Sequence, residues 1–385
     1  MTTTAASAAP ELGVGIVGYG FIGKIHAFAH RALPLSYDPL PARTRLVGVC
    51  TRTEASGRKA QEQAGFAVAT TDYQDLLARD DIDVIHCCTP NDAHHALLRD
   101  ALRAGKHVYC DKPLTRTLAE AEEIAALART TPGLVHRMTF NYRFVPALLR
   151  AKQLVDAGFL GTVFQFRAAY LHAGYVDPRR PLSWRLRKER SGGGALMDLG
   201  VHVFDLARHL LGEFAEVNAQ LDTFVRERPD PTTGGTGIVD VDDVALVRAR
   251  TRSGAVGTIE ATRLATGTQD ELRLEIHGSR GALGFNLMDP NWLIVYDNTR
   301  PEAPLGGDRG PQRIECVARY PAPYALGATK NTVGWPQFHV HCLFDFIDSV
   351  ARGEPRGPSF EDGLAAQRFV AACQESAGRG DPVLL

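Results

Sequence analysis

Three glycines, at residues 18, 20 and 23, follow directly on the apolar run Val14–Val17 and precede a stretch with helical spacing. In such a strand–turn–helix setting the first glycine permits a tight turn, the second leaves room for a phosphate, and the third lets helix and strand approach closely. The amide groups at the start of the helix attract phosphate charge. A glycine turn without a ligand is the alternative, but the flanking strand and helix favour a dinucleotide site. Its contact residues are predicted to be Gly18, Gly20, Phe21, Ile22 and Gly23.

Short apolar runs alternate with amphipathic stretches from residue 12 to about residue 139. This α/β alternation predicts a parallel sheet covered by helices on both faces. Residues 31–44, which contain three prolines, are expected to form a long loop. The strand candidates are Val14–Val17, Leu46–Cys50, Ala67–Ala69, Val84–Cys87, His107–Tyr109 and Leu134–Thr139, and the helix candidates are 21–32, 54–64, 72–79, 91–104 and 117–129.

The pattern changes after residue 140. We expect helices over 145–157, 195–211, 337–351 and 359–377, a strand over 162–170, and antiparallel strands over Val244–Arg250, Ala255–Ala261, Glu271–His277 and Ala282–Phe285. Residues 286–336 are rich in Pro and Gly and have little periodicity. The prediction is therefore a disordered start at 1–10, a dinucleotide-binding domain at 11–139, and an α+β domain with a mostly antiparallel sheet at 140–385, whose last helix packs back.

A chain of 385 residues is too long for one ordinary hydrophobic core, so two domains are expected. Its 44% hydrophobic and 23% charged residues are typical of a globular protein. The net charge of −1 gives no reason to propose nucleic acid or a membrane as a partner, and no stretch approaches the ~18 apolar residues of a membrane span. Seven scattered cysteines and a start without secretory-signal features predict reduced thiols in a cytoplasmic protein.

Residues that follow the predicted parallel strands are expected at the ligand-binding edge of the sheet. At the end of the second strand, where an NAD-binding protein usually has an acidic residue, the chain has Thr51 and Arg52, and no carboxylate precedes Glu54. A hydroxyl and a guanidinium group suit a 2′-phosphate, which favours NADP over NAD. An arginine that only stacks on the adenine of NAD is the alternative.

Lys112 follows a later strand at the same edge and is held by the proline after it. On the predicted helix 195–211, Asp198, His202 and Asp205 have spacings that place them on one face. Histidine accepts a proton near neutral pH, and an aspartate can orient it or hold a substrate hydroxyl. A surface lysine and a core histidine are the structural alternatives. With the glycine loop, Lys112, Asp198 and His202 predict hydride transfer between a nicotinamide and a hydroxyl.

No metal site is expected. His339 and His341 with Cys342 have ligand chemistry but lack convincing further ligands. The adjacent pairs Cys87–Cys88 and His94–His95 point to opposite sides of their elements and are not expected to form one site.

In this order, the motifs resemble those of the glucose–fructose oxidoreductase / inositol dehydrogenase / rhizopine catabolism (Gfo/Idh/MocA) family over nearly the whole chain. Where the family usually has Glu-Lys-Pro, this chain has Asp111, one methylene shorter. The stretch Gly20–His26 is most similar to levoglucosan-dehydrogenase-type members. The matching motifs are Gly18–Gly23, Thr89-Pro90-Asn91 with His94, Gly105-Lys106-His107-Val108, Asp111-Lys112-Pro113, Asn141-Tyr142-Arg143-Phe144, Trp184-Arg185, Gly192–Gly194, Asp198 to His202 and Glu361-Asp362-Gly363.

The resemblance implies a Rossmann domain and a second domain whose large open sheet packs the catalytic helix and often mediates oligomers, so a homodimer or homotetramer is expected. By motif position it implies that Lys112, Asp198 and His202 are catalytic. It also implies cofactor contacts, in addition to the glycine loop, Thr51 and Arg52, from Thr89, Pro90, Asn91, His94, Asp111, Lys112, Asn141, Trp184, Arg185 and His339.

The expected activity is NAD(P)-dependent oxidoreduction at a secondary hydroxyl or ketone of a cyclic sugar, anhydrosugar or polyol. Two alternatives remain open: a glycoside hydrolase that uses NAD without net reduction, and a regulator that senses sugar or cofactor without catalysis. The complete Lys112, Asp198 and His202 set argues against the regulator. The substrate-contacting candidates are Lys112, Tyr170, His172, Tyr175, Asp198 and His202.

Overall fold

The computed structural model describes residues 9–327 and 330–385, so residues 1–8 of the predicted disordered start lie outside the described part. A six-stranded parallel sheet occupies the N-terminal third, in the strand order β3-β2-β1-β4-β5-β6. The order reverses between β1 and β4, which is where such sheets bind ligands. Its strands are β1 (Glu11–Val17), β2 (Arg43–Cys50), β3 (Val68–Thr70), β4 (Val84–Cys87), β5 (His107–Cys110) and β6 (His136–Met138).

Five helices connect these strands, as the alternating pattern predicts. Local signals fix several of their ends. Thr117 and Glu120 form a reciprocal capping box at the start of the fifth helix, and Gly65 ends the second helix in the left-handed conformation. The helices are α1 (Phe21–Ser36), α2 (Glu54–Ala64), α3 (Gln74–Leu77), α4 (His94–Arg103) and α5 (Leu118–Arg129).

A nine-stranded mixed sheet dominates the remainder, in the order β16-β15-β14-β13-β7-β12-β11-β8-β17. Only the pairing of β7 with β12 is parallel among its described neighbours, so the prediction of a mostly antiparallel sheet is confirmed. The strands are β7 (Val163–Leu171), β8 (Phe214–Asp222), β11 (Val244–Thr251), β12 (Val256–Thr262), β13 (Glu271–Gly278), β14 (Gly281–Asn286), β15 (Trp292–Asp297), β16 (Gln312–Glu315) and β17 (Val383–Leu384); β9 (Glu227–Pro229) and β10 (Thr236–Ile238) form a separate hairpin.

Helices cover one face of this sheet, and the other face is exposed. Along β11 the buried residues Ala245, Val247 and Ala249 alternate with exposed Leu246 and Arg248, which is the period-2 pattern of a half-buried strand. The helices of this part of the chain are α6 (Pro146–Asp156), α7 (Lys188–Ser191), α8 (Val201–Leu211), α9 (Trp335–Arg352) and α10 (Phe360–Arg379). No helix in the described ranges is long and apolar enough to cross a membrane.

Two segments that were predicted to be irregular contain more regular structure than expected. The expected loop 31–44 is shorter, because α1 continues through Pro34 to Ser36. The buried side chain of Leu33 anchors this last turn, so packing outweighs the helix-breaking tendency of proline. The expected irregular segment 286–336 also contains the two outer strands β15 and β16, whose alternation is too short to be recognised in a Pro/Gly-rich stretch.

The helix predicted over 195–211 begins as a π-helix, Leu196–Gly200, and continues as α8. The wider π-helical turn changes the direction of the residues that follow it, so Asp198, His202 and Asp205 do not lie on one face as predicted. Asp205 lies in the core instead, where its carboxylate pairs with Arg143.

Helix α9 packs back on α1, so the C-terminal part of the chain completes the core of the N-terminal part. Tyr37 is the centre of this contact: its ring stacks on Phe344 at 3.8 Å, and its backbone forms a β-bridge with Tyr324. All seven cysteines are free and buried, as expected for reduced thiols.

Candidate active site

The glycine loop after β1 has the shape of a phosphate cradle. Gly18 has φ = +93°, and an added Cβ there would lie 2.4 Å from the carbonyl oxygen of Cys88. A Cβ on Gly23 would lie 2.1 Å from the carbonyl oxygen of Gly18, whereas one on Gly20 meets nothing within 4 Å. The N-terminus of α1, at Phe21, has neither a capping side chain nor an acidic residue in its first turn. The free amides and open space at Gly20 therefore fit a pyrophosphate.

His94 joins the loops that follow β4 and β5. Its Nδ1 lies 3.0 Å from the carbonyl oxygen of Pro113, and its Nε2 lies 3.0 Å from that of Thr89. Burial alone lowers the pKa of His94, but the negative charge of the Cys87 thiolate and the Thr89 carbonyl outweigh it and raise this pKa to about 9. Both ring nitrogens then donate, which fixes the loop that presents Lys112.

Cys87, His94 and Cys110 come together beneath this loop, whereas the sequence interpretation considered only the adjacent pairs Cys87–Cys88 and His94–His95 and expected no shared site from them. Their ligand atoms lie within 4.8 Å of one another, and all three residues are buried. The pairing of β4 with β5 places Cys87 beside Cys110. This proximity cannot be recognised from the sequence of either strand alone. Because both nitrogens of His94 already face carbonyl oxygens, the cluster lacks a free imidazole ligand for a metal.

Lys112 and Asp198 meet across the cleft between the two sheets. Lys112 Nζ donates to Asp198 Oδ1 at 2.7 Å and to the Asp198 carbonyl oxygen at 2.7 Å. Arg263 Nη2 donates to the other carboxylate oxygen, Oδ2, at 3.0 Å. Burial favours the protonated acid, but Lys112, Arg263 and Arg185 outweigh it and hold the pKa of Asp198 well below its usual range. The carboxylate is therefore ionised and fixed at both oxygens.

His202 lies one turn beyond Asp198, in an aromatic pocket. Its ring centroid is 5.0 Å from that of Tyr142 and 5.9 Å from that of Tyr170. Burial and the positive charge of Lys112 hold the pKa of His202 well below 6.5, although Asp198 opposes this shift. The imidazole is therefore neutral at pH 7 and can accept a proton.

A chain of polar side chains extends this pocket. Tyr170 OH donates to Asp270 Oδ1 at 2.7 Å, and His172 Nε2 lies 3.0 Å from the same oxygen. Tyr170 OH also contacts Tyr142 OH, to which Trp335 Nε1 donates at 3.2 Å. Tyr170 and His172, two of the residues predicted to contact the substrate, thus lie in the site. Sequence reasoning gave no site role to Tyr142, Asp270, Trp335 or Arg263, although Arg263 directly follows a strand end.

Other predicted residues lie around the same cleft. Tyr175 packs beneath the Arg263 guanidinium at 4.9 Å, and the Arg185 guanidinium stacks on Trp184 at 4.4 Å. Asn141 is buried, and its Nδ2 has no hydrogen-bond partner among the described residues. The predicted cofactor-edge residues Pro90, Asn91 and Asp111 lie at the carboxyl ends of β4 and β5, where Asn91 Nδ2 donates to the Ser191 carbonyl oxygen at 2.8 Å and burial raises the pKa of Asp111.

Two predicted cofactor residues lie apart from the catalytic cleft. Thr51 and Arg52 follow β2, and Arg52 is exposed.

His339, also predicted to contact the cofactor, is buried on α9, with its ring 4.3 Å from Trp335 and 6.1 Å from His26. Trp335 in turn donates to Tyr142 OH in the site, so His339 lies behind Trp335 on the inner side of the site.

Comparison with known proteins agrees with this geometry. Residues 12–138 match the model of the oxidoreductase family with an NAD-binding Rossmann fold, and residues 148–284 match the model of the GFO/IDH/MocA C-terminal domain. The chain therefore belongs to the Gfo/Idh/MocA family of oxidoreductases. The predicted fold class, family and enzyme class are confirmed.

Individual relatives are similar over nearly their whole length. Levoglucosan dehydrogenase of Pseudarthrobacter phenanthrenivorans is 36% identical and aligns over 96% of this chain and 97% of its own. A solved structure of levoglucosan dehydrogenase with NADH and levoglucosan superimposes with a TM-score of 0.93 at 34% identity, covering 97% of this chain and 99% of the other. An oxidoreductase domain protein from Kribbella flavida gives 0.92 at 40% identity, with the same coverage. The chain is thus a nicotinamide-dependent oxidoreductase of the sugar and polyol dehydrogenase type.

Proposed function

We propose that this chain oxidises a secondary hydroxyl of a neutral cyclic sugar, with an anhydrosugar such as levoglucosan as the preferred class. The observation that carries the proposal is the Lys112 ammonium, 2.7 Å from Asp198 and beside the neutral His202. It lies at the sheet edge that also holds the glycine cradle. The relative with bound levoglucosan supports the choice of anhydrosugar.

Each of the three residues has a separate role in the proposed reaction. Two of the three protons of the Lys112 ammonium are used on Asp198, so one donor remains for the substrate oxygen. His202, neutral at pH 7, takes the hydroxyl proton. Asp198 holds Lys112 in position and offsets its charge. The nicotinamide, when bound, accepts the hydride.

The charge balance of the pocket favours an uncharged substrate. The cations Lys112 and Arg263 face the carboxylate of Asp198, and Asp270 adds a second carboxylate at the far end of the polar chain. A phosphorylated or acidic sugar would gain little electrostatic binding energy in this pocket. The hydroxyl and carboxylate groups of Tyr170, Asp270 and their neighbours are instead suited to hydrogen bonds with sugar hydroxyls.

We further propose that NAD is accepted and that Arg52 allows NADP as well. Solved relatives bind NADH. In this chain Arg52 is exposed and has no ion-pair partner among residues 9–327 and 330–385, and it stands where a ribose-binding acid is usual. The activity assay is therefore run with both cofactors. Arg52→Ala is expected to lower kcat/KM for NADP about tenfold, while kcat/KM for NAD stays within a factor of about two.

The test of catalysis is the growth of absorbance at 340 nm with anhydrosugars, hexoses, inositols and glycosides. We expect turnover with levoglucosan or a related ring. Lys112→Met and His202→Gln should each lower kcat by about 10²–10⁴, the usual contribution of a positioned acid or base. Lys188→Met, at an exposed lysine of α7, is the matched control and should retain activity. Full activity in Lys112→Met, or no absorbance change with any sugar, would refute the proposal.

We also propose that two copies of the chain pair through the exposed face of the nine-stranded sheet, giving a homodimer or homotetramer. Three exposed apolar side chains, Leu246, Val256 and Ile294, lie on this face among charged residues. Light scattering after gel filtration measures the assembly, and Leu246→Glu is expected to shift it towards the monomer.

A further inference from the structure

Three buried histidines form a hydrogen-bonded line between α1 and β4. His86 lies in the middle of β4 and is fully buried. Its Nδ1 is 3.0 Å from His26 Nδ1, and its Nε2 is 3.0 Å from His30 Nε2. His26 and His30 are one turn apart on α1, so one helix face presents both rings to the same strand residue.

The line has an outlet at the protein surface. His30 Nδ1 lies 3.0 Å from Thr44 Oγ1, and Thr44 is a partly exposed residue near the start of β2. A hydroxyl group both donates and accepts, so Thr44 can exchange a proton with solvent on one side and with His30 on the other.

The inner end of the line points towards the candidate active site. His26 Nε2 is buried and has no hydrogen-bond partner among the described residues, and the same holds for both ring nitrogens of His339. The His26 and His339 rings are 6.1 Å apart between centroids, a gap that one water molecule can bridge. His339 packs on Trp335 at 4.3 Å between ring centroids, and Trp335 Nε1 donates to Tyr142 OH at 3.2 Å. The Tyr142 ring lies 5.0 Å from that of His202, whose Nδ1 is also buried without a partner among the described residues. Buried polar atoms are rarely left unpaired, so these nitrogens are suited to holding water between the rings.

Neutral imidazoles in such a line have two complete proton arrangements. In one, His26 donates to His86, His86 donates to His30, and His30 donates to Thr44. In the other, every hydrogen bond is reversed, and His26 carries its proton on Nε2. A proton that arrives at His26 Nε2 converts the first arrangement into the second, and the proton of the Thr44 hydroxyl leaves to water. Burial lowers the pKa of each of the three rings, which keeps them neutral, as this exchange requires.

We propose that His26, His86, His30 and Thr44 form a proton relay that carries the hydroxyl proton from His202, through His339, to solvent at the start of β2. The inference rests on the proposed oxidation, in which the substrate C–H bond breaks to give a hydride on the nicotinamide and the O–H proton passes to His202. One proton must therefore leave the site in each turnover. The four relay residues act through His202 and do not touch the substrate.

The relay is tested with Thr44→Val, which removes the hydroxyl from a partly exposed position with little change of shape. Absorbance at 340 nm and a pH-indicator dye are followed together in weakly buffered solution with NAD and levoglucosan. We expect proton release, and with it turnover, to slow at least tenfold, with KM for the sugar unchanged and with recovery on addition of imidazole buffer. A buried residue with only a structural role gives no recovery with buffer.

Two further variants complete the test. His86→Phe should reproduce the effect of Thr44→Val, whereas His341→Phe should release protons as the unaltered chain does, because His341 is buried at the same helix contact but outside the line. Proton release and NADH formation in Thr44→Val at the rates of the unaltered chain would overturn the relay.

The exchange of imidazole protons provides a readout that does not need catalysis. In ¹⁵N-histidine-labelled protein, Thr44→Val should slow the exchange of the His30 and His86 ring protons with solvent at least tenfold. If the unaltered chain gives no NADH with any sugar, the proposed function fails, and this exchange still decides the relay. Equal exchange in both proteins would overturn it.

Discussion

Asp198 is held at both carboxylate oxygens and at its backbone carbonyl oxygen. Lys112 contacts its Oδ1 and its carbonyl oxygen, and Arg263 contacts its Oδ2. Each contact joins an ion to an oxygen in a partly buried cleft, where charge-assisted hydrogen bonds are stronger than neutral ones. The position of the Lys112 ammonium therefore depends on Arg263, through a carboxylate that both share.

Replacing Arg263 with methionine should lower kcat/KM about 10- to 100-fold, since one hydrogen bond to a charged group is worth roughly 1.5–3 kcal/mol. The loss arises because Asp198 then turns on its remaining contact and carries Lys112 with it. Initial rates at subsaturating sugar measure the effect. Arg180→Met is the matched control, because Arg180 stacks on the same Tyr175 ring at 4.2 Å but does not contact Asp198. Equal rates for the two variants would contradict this role.

At the residue scale, sequence reasoning reached the side chains that belong to motifs. Lys112 directly precedes Pro113, and His202 lies two residues after Gly200, so both belong to short motifs. The structure brings them together through Asp198. Arg263 and Asp270 could not be found in this way. They follow β12 and precede β13, and only the pairing of both strands with β7 brings them beside the catalytic helix.

Among the elements, the π-helix Leu196–Gly200 is the one on which the site depends most. Just before it, the Gly194 amide donates to Asp242 Oδ1 at 2.8 Å, and at its first residue the Leu196 amide donates to Oδ2 at 2.7 Å. The Asp242 carboxylate therefore accepts hydrogen bonds from amides at the start of the turn. The wider turn then directs Asp198 into the cleft. Such turns are common at functional sites.

Gly194→Ala should destabilise the protein by about 1–3 kcal/mol or more and abolish activity, because the added Cβ would lie 1.8 Å from the Asp242 carbonyl oxygen. Urea unfolding and the rate at 340 nm measure the two effects. Gly193→Ala is the matched control: its Cβ would meet Met197 Cβ at 3.1 Å, which a small shift relieves. A Gly194→Ala variant as stable as Gly193→Ala would disprove the contact.

Sequence patterns predicted most elements whose signals are local. The predicted helix 117–129 and the predicted strand Val244–Arg250 agree with α5 and β11 to within one residue at each end. The same reasoning missed β8, Phe214–Asp222, and ended the first helix at residue 32, whereas α1 continues to Ser36. Both depend on distant partners: β8 pairs with β11 and β17, and the last turn of α1 packs on α9. Tertiary contacts override local propensity at such places.

For the whole molecule, the buried histidines predict a loss of stability in mild acid. Burial lowers the pKa of His30, His339 and His341 to about 3, whereas an unfolded histidine titrates near 6.5. Below pH 6.5 the unfolded chain binds more protons than the folded one, so the free energy of unfolding falls as pH falls, by up to about 1.4 kcal/mol per pH unit for each such histidine. Urea midpoints at pH 7.5, 6.5 and 5.5 measure this.

His341→Phe should flatten that pH dependence by one proton, since it removes one buried titrating group and retains an aromatic ring at the contact with Tyr37. His95→Phe is the control, because His95 is paired with Glu123 near the surface. The interpretation fails if the unaltered chain has the same urea midpoint at pH 7.5 and pH 5.5.

The contact of α1 with α9 also sets the timing of folding during synthesis. The hydrogen bond between Tyr37 and His341 joins residues 304 positions apart. At roughly 5–20 residues per second, the ribosome needs on the order of 15–60 s to make the intervening chain. Throughout that interval the surface of α1 and Tyr37 that packs on α9 has no helix to cover it. The nascent dinucleotide domain therefore exposes an apolar surface until translation is nearly complete, and this interval is where chaperone protection has the greatest effect on yield.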